Sequence, residues 1–561
     1  MSFAALLRSP RAECARRELV LLGLLCVVAM ALVVGLGTRL SFFNDDWYFL
    51  LQRPGLESRG GLDTLLAPHN GNMVVVLAAV FKLLVAGFGM GSQWPFRLVL
   101  GLSWAGLGVV AYALVRPRVG AWLAGLAAGL LLFLGPAWEV ALFFAGINHL
   151  WALELGLASL LLLQRDTRAR NAAACVLLAV AVASSNTGLA LVAAAALAIL
   201  TRHRARQLWI PGIPVAVYGA WWIAYGHSQS TGVTVGHIEA LPGYLFDSLS
   251  FGLASLLGLH HGTLPTLLYS GHLPAVLVLA GLAVWLVRGG RPRATALWFM
   301  GALVVFWLLT GASATVGRGA DSSRYQLTDV ALMLVFAAEL VHGHLVPRAA
   351  MAALGLACMA IIVSNLVVLH DGYAFLRTEA GFVAADTGAL QIAGPRAPRD
   401  LWLLSTVAGD PYLSGITAGR YFSQTAAHGT PAVDTVAELE RAPAPQRGAA
   451  DGVLIAAEQI RATPLQTVPA RRECVTLNPP ARARATTSVS ALAMLVHNQG
   501  TNTVALGLSR FGPVGSTHGV AFLPGRATER LTFRADGISA PWRLTVIDLT
   551  AVPARVAVCP S

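Results

Sequence analysis

Long apolar runs separated by short polar loops occupy the chain up to about residue 370. A helix that crosses the hydrocarbon core of a bilayer needs about 20 predominantly apolar residues, and many of the runs are close to that length. We therefore predict an α-helical polytopic membrane protein with about 11 transmembrane helices. The predicted spans are residues 19–37, 96–115, 119–136, 150–164, 171–184, 187–200, 207–225, 273–288, 295–311, 326–341 and 348–368.

Two further apolar stretches are predicted not to span. Residues 73–90 carry Lys82 near their middle, and counting them as a span would move every later basic loop to the opposite side of the membrane. We predict an interfacial or partly buried helix there, within the first outer loop. The same parity argument makes residues 244–262 a re-entrant or surface helix on the outer side.

The pattern changes at residue 372, where Pro, Gly and polar residues become frequent. Near the end of the chain, apolar and polar positions alternate in short segments divided by turn residues, which is typical of a β-sandwich. Residues 372–470 indicate mixed helix and loop, with a loop or linker at 441–452. We predict two domains: a transmembrane domain over 1–371 and an extracytoplasmic, mixed or β-sandwich-like domain over 372–561.

Composition and charge fit a membrane protein. Charged residues make up 12% of the chain, whereas soluble domains average about 25%. The net charge of +12 arises mostly from arginines in alternate short loops, which is how cytoplasmic loops orient a membrane protein. A nucleic-acid surface would need a basic face on a folded domain, so we expect no nucleic-acid partner. The basic loops predict a cell-membrane protein with a cytoplasmic N-terminus and an outer C-terminal domain.

The cysteines divide by their surroundings. Cys26, Cys175 and Cys358 lie in apolar runs, where a single Cys behaves as a small hydrophobic residue. Cys474 and Cys559 bracket the β-patterned region. We predict a disulfide between these two, which would require an oxidising, extracytoplasmic location.

Asp45 and Asp46, in the stretch SFFNDDWYFL, directly follow the first predicted span. One acid could cap a helix that begins near Trp47, but a second carboxylate at a membrane boundary is costly to keep there. The pair could supply a general base or hold a divalent metal. If Asp45 is the cap, its pKa falls and Asp46 is the better base; the roles exchange if the helix begins one residue earlier.

Cationic side chains occur in two predicted outer loops. The stretch TVGRGADSSRYQL carries Arg318, Arg324 and Tyr325 at the entrance to a helix. Arg can hold a phosphate through two parallel hydrogen bonds, and helix N-termini attract anions. His69, in LLAPHNGNM, could donate a further hydrogen bond. These four residues are candidates for binding a substrate phosphate; the alternative is a loop salt bridge between Asp321 and an Arg.

A third group of polar residues lies in the stretch PAWEVALFFAGINHLW. Glu139, Asn148 and His149 interrupt a mostly apolar sequence there. They could line a polar substrate cavity. The alternative is hydrogen bonding between neighbouring helices.

Together these features resemble a GT-C-type membrane glycosyltransferase, the class of the protein mannosyltransferases and the lipid A aminoarabinose transferases. The shared features are an acidic pair after the first span, a long outer loop with an interfacial helix, and many spans. Pro68 and His69, followed by VFKLLVAGFGMGSQWPFRL with Arg97, are similar to the family's proline-containing loop, amphipathic helix and Arg at the second span. The chain has PHNGN where mannosyltransferases have two prolines, and it lacks a WWDYG-type signature. Its outer C-terminal domain is similar to the arrangement in actinobacterial cell-wall glycosyltransferases.

The resemblance implies transfer of a sugar from a polyprenyl-phosphate donor to an extracytoplasmic glycan, lipid or protein. Asp46 or Asp45 would deprotonate the acceptor hydroxyl in an inverting displacement. Arg324, Arg318 and His69 would hold the phosphate that departs as an anion. No cofactor is implied other than a divalent metal at the acidic pair, which stays open.

Two other functions remain open from the sequence. A transporter or flippase of a lipid-linked glycan also uses polar groups in the membrane, but it places them at mid-bilayer depth and is built from internal repeats. A non-catalytic scaffold could bind cell-wall polymer with its outer domain. Separate substitution of Asp45 and Asp46 would discriminate, because a scaffold should tolerate both changes.

Overall fold

The chain divides into two compact units. The computed structural model describes residues 10–53, 61–229, 233–259, 270–315, 318–344, 346–403, 406–407, 410–411, 415–466, 474–489, 491–513, 518–534, 538 and 540–560. The first unit comprises Met1–Leu40, Arg53–Gly87 and Gln93–Phe375, and the second comprises Ser41–Gln52, Phe88–Ser92 and Leu376–Ser561. The segment that carries Asp45 and Asp46 therefore belongs to the second unit, although it lies early in the sequence.

Helices dominate the chain up to residue 393. Shorter helical turns lie between the long helices, among them Asp45–Trp47, Gly61–Leu66 and Trp138–Leu142. The predicted domain boundary after residue 371 lies inside the last long helix. The long helices are Pro10–Gly37 (α1), Val75–Phe88 (α2), Trp94–Val119 (α3), Ala121–Leu132 (α4), Ile147–Leu162 (α5), Arg168–Ser184 (α6), Thr187–Thr201 (α7), Trp209–Ala224 (α8), Val235–Leu256 (α9), His272–Val287 (α10), Ala294–Ala312 (α11), Ser323–Leu340 (α12) and Arg348–Ala393 (α13).

Every predicted span falls on one of these helices, which confirms the helical class. Within the described residues, 5 helices are long and apolar enough to cross a membrane, or 6 if one pair bent by 46° is a single broken span. Several other predicted spans are shorter: α7 has 15 residues and α10 has 16, or about 24 Å of helix at 1.5 Å per residue. The candidate spans are Arg16–Gly37, Trp94–Val119, Phe144–Leu162, Ala294–Ala312 and Arg348–Arg396, with Ala121–Leu132 and Gly135–Leu142 as the bent pair.

Helix α10 is apolar on almost every side. Ala275 is its one buried residue, while Leu277 is 62% and Val287 is 88% exposed. Exposed apolar surface costs about 25 cal/mol per Å² in water, a cost that hydrocarbon chains would remove. The helix is therefore consistent with a membrane protein.

The two stretches predicted as non-spanning helices are also helical. α2 buries Leu77, Phe81 and Leu84, whose spacing of four and three residues forms one apolar stripe. The opposite face leaves Leu83 72% exposed. α9 covers most of the second stretch, residues 244–262, of which the last three residues lie outside the described part of the chain.

Two antiparallel sheets form the end of the second unit. Strands β10, β9, β12 and β7 make one sheet in that order, and β5, β11, β8, β13 and β6 make the other. The short pairs β1–β4 and β2–β3 precede them. The strands are Trp402–Leu403 (β1), Thr406–Val407 (β2), Asp410–Pro411 (β3), Ile416–Thr417 (β4), Arg461–Leu465 (β5), Val475–Leu477 (β6), Arg484–Val489 (β7), Ala493–Asn498 (β8), Val504–Ser509 (β9), His518–Leu523 (β10), Thr528–Thr532 (β11), Trp542–Asp548 (β12) and Val556–Pro560 (β13).

One apolar core serves both sheets. Leu506 and Val546 of the four-stranded sheet belong to the same buried cluster as Val496 and Leu531 of the five-stranded sheet. The period-two sequence pattern therefore predicted the β region correctly, since alternate residues of each strand point to one face.

The second unit also contains the helices Ala418–His428 (α14), Val436–Arg441 (α15) and Ala444–Glu458 (α16). The loop predicted at residues 441–452 is wrong, because α16 begins at Ala444. Pro445 lies in its first turn, where the missing N–H costs no hydrogen bond. Ala450 and Leu454 of α16 join the core shared by the sheets, and this burial stabilises the helix.

The predicted disulfide between Cys474 and Cys559 is present, with the two Cα atoms 4.2 Å apart. Val475 of β6 lies opposite Val558 of β13, so the cysteines occupy the next cross-strand position of this antiparallel pair. The bond fixes the edge strand β6 to the sheet. Cys26, Cys175 and Cys358 are buried and carry free thiols.

Candidate functional site

In the first unit, the N-terminal ends of α5, α7 and α12 come together. His149 lies in the first turn of α5, Thr187 begins α7 and Tyr325 lies in the first turn of α12. His149 Nδ1 lies 3.3 Å from Thr187 Oγ1. The His149 and Tyr325 rings meet edge to face at 6.5 Å between centroids. Two predicted site residues that are distant in sequence are thus neighbours in the fold.

Arg324 is anchored by the turn before α5. Its Nη2 lies 2.9 Å from Glu139 Oε1. The neighbouring Ser323 hydroxyl donates to the Pro136 carbonyl at 2.6 Å and accepts the Glu139 N–H at 3.1 Å. These contacts tie the start of α12 to the turn at Trp138–Leu142. The alternative predicted from the sequence was a salt bridge between Asp321 and an Arg; the ion pair described for Arg324 is with Glu139.

The loop that carries His69 joins this group through its backbone. The backbones of His69 and Asn72 pair across a tight turn, and His69 Nε2 lies 3.2 Å from Asn70 Nδ2. Arg318 Nη1 donates to the Asn70 carbonyl at 3.5 Å. Asn186, directly before α7, donates to the carbonyl of the intervening glycine at 3.1 Å. The described contacts thus connect His69 and Arg318 to the turn before α7.

The turn at Asn70 explains why this loop is compact. Asn70 has φ +52° and Gly71 has φ +75°, the left-handed region that Gly and Asn tolerate best. Two successive left-handed residues reverse the chain within four residues. The sequence PHNGN, which departs from the double proline of the mannosyltransferases, encodes this turn.

Asn148 has a local role. Its side-chain oxygen accepts the N–H of His149 at 2.7 Å, as polar residues near helix N-termini commonly do. Glu139, Asn148 and His149 are all partly exposed. Glu139 and His149 contact the other predicted site residues, whereas the hydrogen bond described for Asn148 stays within its own turn.

We name this group the arginine cluster: Arg318, Arg324, Tyr325, Glu139, His149 and His69. Arg324 pairs with Glu139, whereas Arg318 donates to the Asn70 carbonyl. Arg324 and Glu139 keep 29% and 18% of their side-chain surface, so their pair is accessible. An accessible guanidinium at a helix N-terminus is suited to an anionic ligand.

The acidic pair lies in the second unit and is described separately. A helical turn begins at Asp45, with Asn44 as its N-cap and no capping bond from the Asn44 side chain. Asp46 is fully buried, and its Oδ2 accepts the Phe43 N–H at 3.2 Å. Trp47 donates to the Phe42 carbonyl at 2.9 Å and packs against Tyr421 of α14. This segment is therefore held by the second unit.

The helix start corrects one expectation. Asp45 is not the N-cap, because the helix begins at Asp45 itself. Asp46 is the carboxylate that reaches back to a preceding backbone N–H. Asp45 remains partly exposed. Neither acid is therefore the N-cap, which is Asn44.

A metal site is not apparent in the described part of the chain. There, no group of three or more His, Cys, Asp or Glu side chains is arranged to hold a metal ion. Asp45 and Asp46 alone would leave most ligand positions of a divalent metal to water or substrate.

Three residues of the site were not singled out from the sequence. Thr187, Asn186 and Ser323 make the hydrogen bonds that connect its loops. Each is a common polar residue at a helix start, so the sequence offers no signal that separates a connecting role from ordinary capping.

The chain matches no model of a known protein family, and it matches no curated protein.

Proposed function

We propose that the protein is a membrane glycosyltransferase that transfers a sugar from a polyprenyl-phosphate donor to an extracytoplasmic acceptor. The acceptor is a cell-wall glycan, a lipid or a protein. The transfer is a single displacement with inversion, and an Asp in the first outer loop is the general base.

The observation that carries this proposal is the arginine cluster. Its residues come from three separate stretches of the sequence, yet Arg324, Tyr325, His149 and Glu139 are connected by direct contacts. A cluster that only stabilised the helices would have no need for arginines that keep part of their surface exposed. A departing lipid phosphate needs a fixed cationic partner, because charge builds up on it as the glycosidic bond breaks.

Glu139 sets the position of Arg324 before the donor arrives. The 2.9 Å pair restricts a flexible side chain to one direction, so less conformational entropy is lost when the phosphate binds. The guanidinium has five N–H donors in a planar fork. It can keep one bond to Glu139 while the remaining donors bind phosphate oxygens.

We assign the base to Asp45 and a positioning role to Asp46. A base must reach the acceptor hydroxyl, and Asp45 is partly exposed whereas Asp46 is fully buried. The Phe43 N–H bond to Asp46 holds the turn that presents Asp45. If Asp45 binds a divalent metal, the substrate would supply the other ligands.

The proposal includes a topology. About eleven helices span the cell membrane, the N-terminus is cytoplasmic, and the second unit is extracytoplasmic. The disulfide between Cys474 and Cys559 supports an extracytoplasmic location of the second unit, since disulfides persist in oxidising compartments.

Sugar transfer can be tested with the full chain. Lipid-linked sugars that accumulate in cells lacking the protein identify the donor, and purified protein is then assayed for transfer from it. We expect Asp45→Asn to lower the rate by about 100-fold or more and Asp46→Asn to cause a smaller loss. Asp63→Asn is the matched control. Asp63 lies in the same predicted outer loop as Asp45, and its carboxylate accepts a hydrogen bond from the Tyr225 hydroxyl. Full activity of both Asp45→Asn and Asp46→Asn would refute the proposal.

A further inference from the structure

A serine, a histidine and a carboxylate meet beside the start of α10, outside the arginine cluster. Ser270 Oγ lies 2.7 Å from His272 Nδ1, and His272 Nε2 lies 3.1 Å from Asp247 Oδ1 on α9. The two partners occupy opposite nitrogens of one ring. When the Nε2–H donates to Asp247, the neutral ring presents Nδ1 as acceptor for the Ser270 hydroxyl. This is the hydrogen-bond order that activates a serine nucleophile.

The imidazole is held in one orientation. Phe246 stacks on the His272 ring with 5.5 Å between centroids and 11° between planes. Phe251 contacts the same ring at 6.4 Å and 57°. A base that is fixed by packing keeps its alignment with both partners, whereas an unpacked imidazole would rotate away from them.

Gly271 fixes the nucleophile against α9. Its φ is +74°, and an added Cβ would lie 1.9 Å from the Ser250 carbonyl oxygen. A side chain at this position is therefore excluded by both backbone conformation and contact. Ser270 itself is 4% exposed. The backbone at Gly271 therefore packs directly against α9, next to the contact between Ser270 and the His272 ring.

The start of α10 adds hydrogen-bond donors next to the serine. His272 and Leu273 open the helix, and the first N–H groups of a helix have no partner within it. Such donors stabilise the oxyanion that forms when a serine attacks a carbonyl. The serine, its base and these donors are thus adjacent in one short segment.

The surroundings are apolar. Leu273, Val276 and Leu277, which follow on α10, are 43%, 52% and 62% exposed. A hydrocarbon chain could lie along these side chains and remove them from water. The site is thus suited to an ester that carries a long acyl chain.

We propose that Ser270 is the nucleophile of an acyl-transfer site that accepts an acyl group from a lipid ester. Ser270 Oγ forms a bond to the acyl carbon, His272 Nδ1 takes the serine proton, and the ester C–O bond breaks. The departing alcohol receives that proton. A second hydroxyl, from water or an alcohol, then gives its proton to His272 and attacks the acyl carbon. The bond from that carbon to Ser270 Oγ breaks, and His272 returns the proton to Ser270 Oγ. Asp247 orients the ring and stabilises the imidazolium form.

The test uses a fluorophosphonate probe, which forms a bond from an activated serine Oγ to phosphorus and releases fluoride. Full-length protein in membranes is labelled, and the modified residue is mapped by mass spectrometry. We expect the label on Ser270 of the unmodified protein. Asp247→Asn and His272→Gln should slow labelling by about 100-fold. Ser313→Ala is the matched control, because the Ser313 hydroxyl bonds only to the turn before it among the described residues.

Hydrolysis of p-nitrophenyl esters gives the second readout. We expect a palmitoyl ester to react faster than an acetyl ester, and Ser270→Ala to remove this activity while the protein elutes as before on size exclusion. Absence of label from Ser270, or equal labelling of His272→Gln, would overturn the proposal. Neither readout involves sugar transfer, so the acyl site and the proposed glycosyltransferase succeed or fail separately.

Discussion

Arg324 and Glu139 form an ion pair, with 2.9 Å between Nη2 and Oε1, although they lie in different predicted outer loops. Both side chains keep part of their surface exposed. An exposed pair contributes about 0–1 kcal/mol to stability, so its removal should leave the fold intact. The pair is therefore suited to substitution experiments that address function.

We expect Arg324→Ala and Arg324→Lys both to weaken use of the polyprenyl-phosphate donor. Loss of a charge-assisted hydrogen bond costs about 1.5–3 kcal/mol, or about 10- to 100-fold in kcat/KM for the donor. Lys retains the charge but cannot supply the planar fork. Rates measured over a series of donor concentrations test this. Arg318→Ala should have less effect, because its described contact is a long bond to a carbonyl. Unchanged kinetics for Arg324→Ala would leave only the ion pair as its role.

The disulfide should carry much of the stability of the β region. Closing a loop of 85 residues stabilises the folded state by about 4–5 kcal/mol in the chain-entropy account. Removing a native disulfide commonly costs about 2–5 kcal/mol of stability. We expect Cys474→Ser to increase hydrogen exchange of β6 and β13. The double variant with Cys474→Ser and Cys559→Ser should show the same increase in hydrogen exchange. Cys175→Ser, at a buried free thiol, is the control. Equal protection in all three variants would contradict the prediction.

Asp451 should make the stability of the second unit depend on pH. Its carboxylate accepts the N–H groups of Arg510, Phe511 and Gly512 at 2.8–2.9 Å. Burial nevertheless raises its pKa, against the effect of those bonds. Since the folded-state pKa lies above the unfolded value of about 3.9, the stability it contributes is fully present below that value. It is lost as the pH rises through the folded-state pKa.

Asp451→Asn removes this titration. We expect it to lower the unfolding free energy of the β region by about 1–3 kcal/mol, because buried N–H groups lose an acceptor. Hydrogen exchange of β9 and β12, corrected for intrinsic rates, measures this free energy at a series of pH values between about 4 and 8. A slope that persists in Asp451→Asn would assign the pH dependence to another group.

The C-terminal unit should be accessible from outside the cell. We expect a membrane-impermeant maleimide to label Thr501→Cys in intact cells, because Thr501 is exposed in the turn between β8 and β9. Ala169→Cys, in a predicted cytoplasmic loop, should react only after lysis. If Thr501→Cys is protected until lysis, the parity of the predicted spans is wrong.

The helices and strands follow from local sequence patterns. Apolar runs near bilayer length became helices because a helix satisfies every backbone group within the segment. Period-two alternation became two sheets because alternate residues of a strand face one side. The disulfide could be predicted because two cysteines flanked that pattern. The helix α16 was missed because its Pro and Gly residues suggest a loop, and its stability comes from burying Leu454 in a core that the local sequence does not reveal.

Tertiary structure decided which polar residues meet. Arg324 paired with Glu139 rather than with nearby Asp321, because packing brings the turn at Trp138–Leu142 to the start of α12. Ser270, His272 and Asp247 became neighbours because Gly271 allows the chain to approach α9. Residue types and spacing indicate which side chains could do chemistry. Distances between sequence-remote side chains depend on how whole helices pack, and that packing reflects the summed burial of many apolar residues rather than any local pattern.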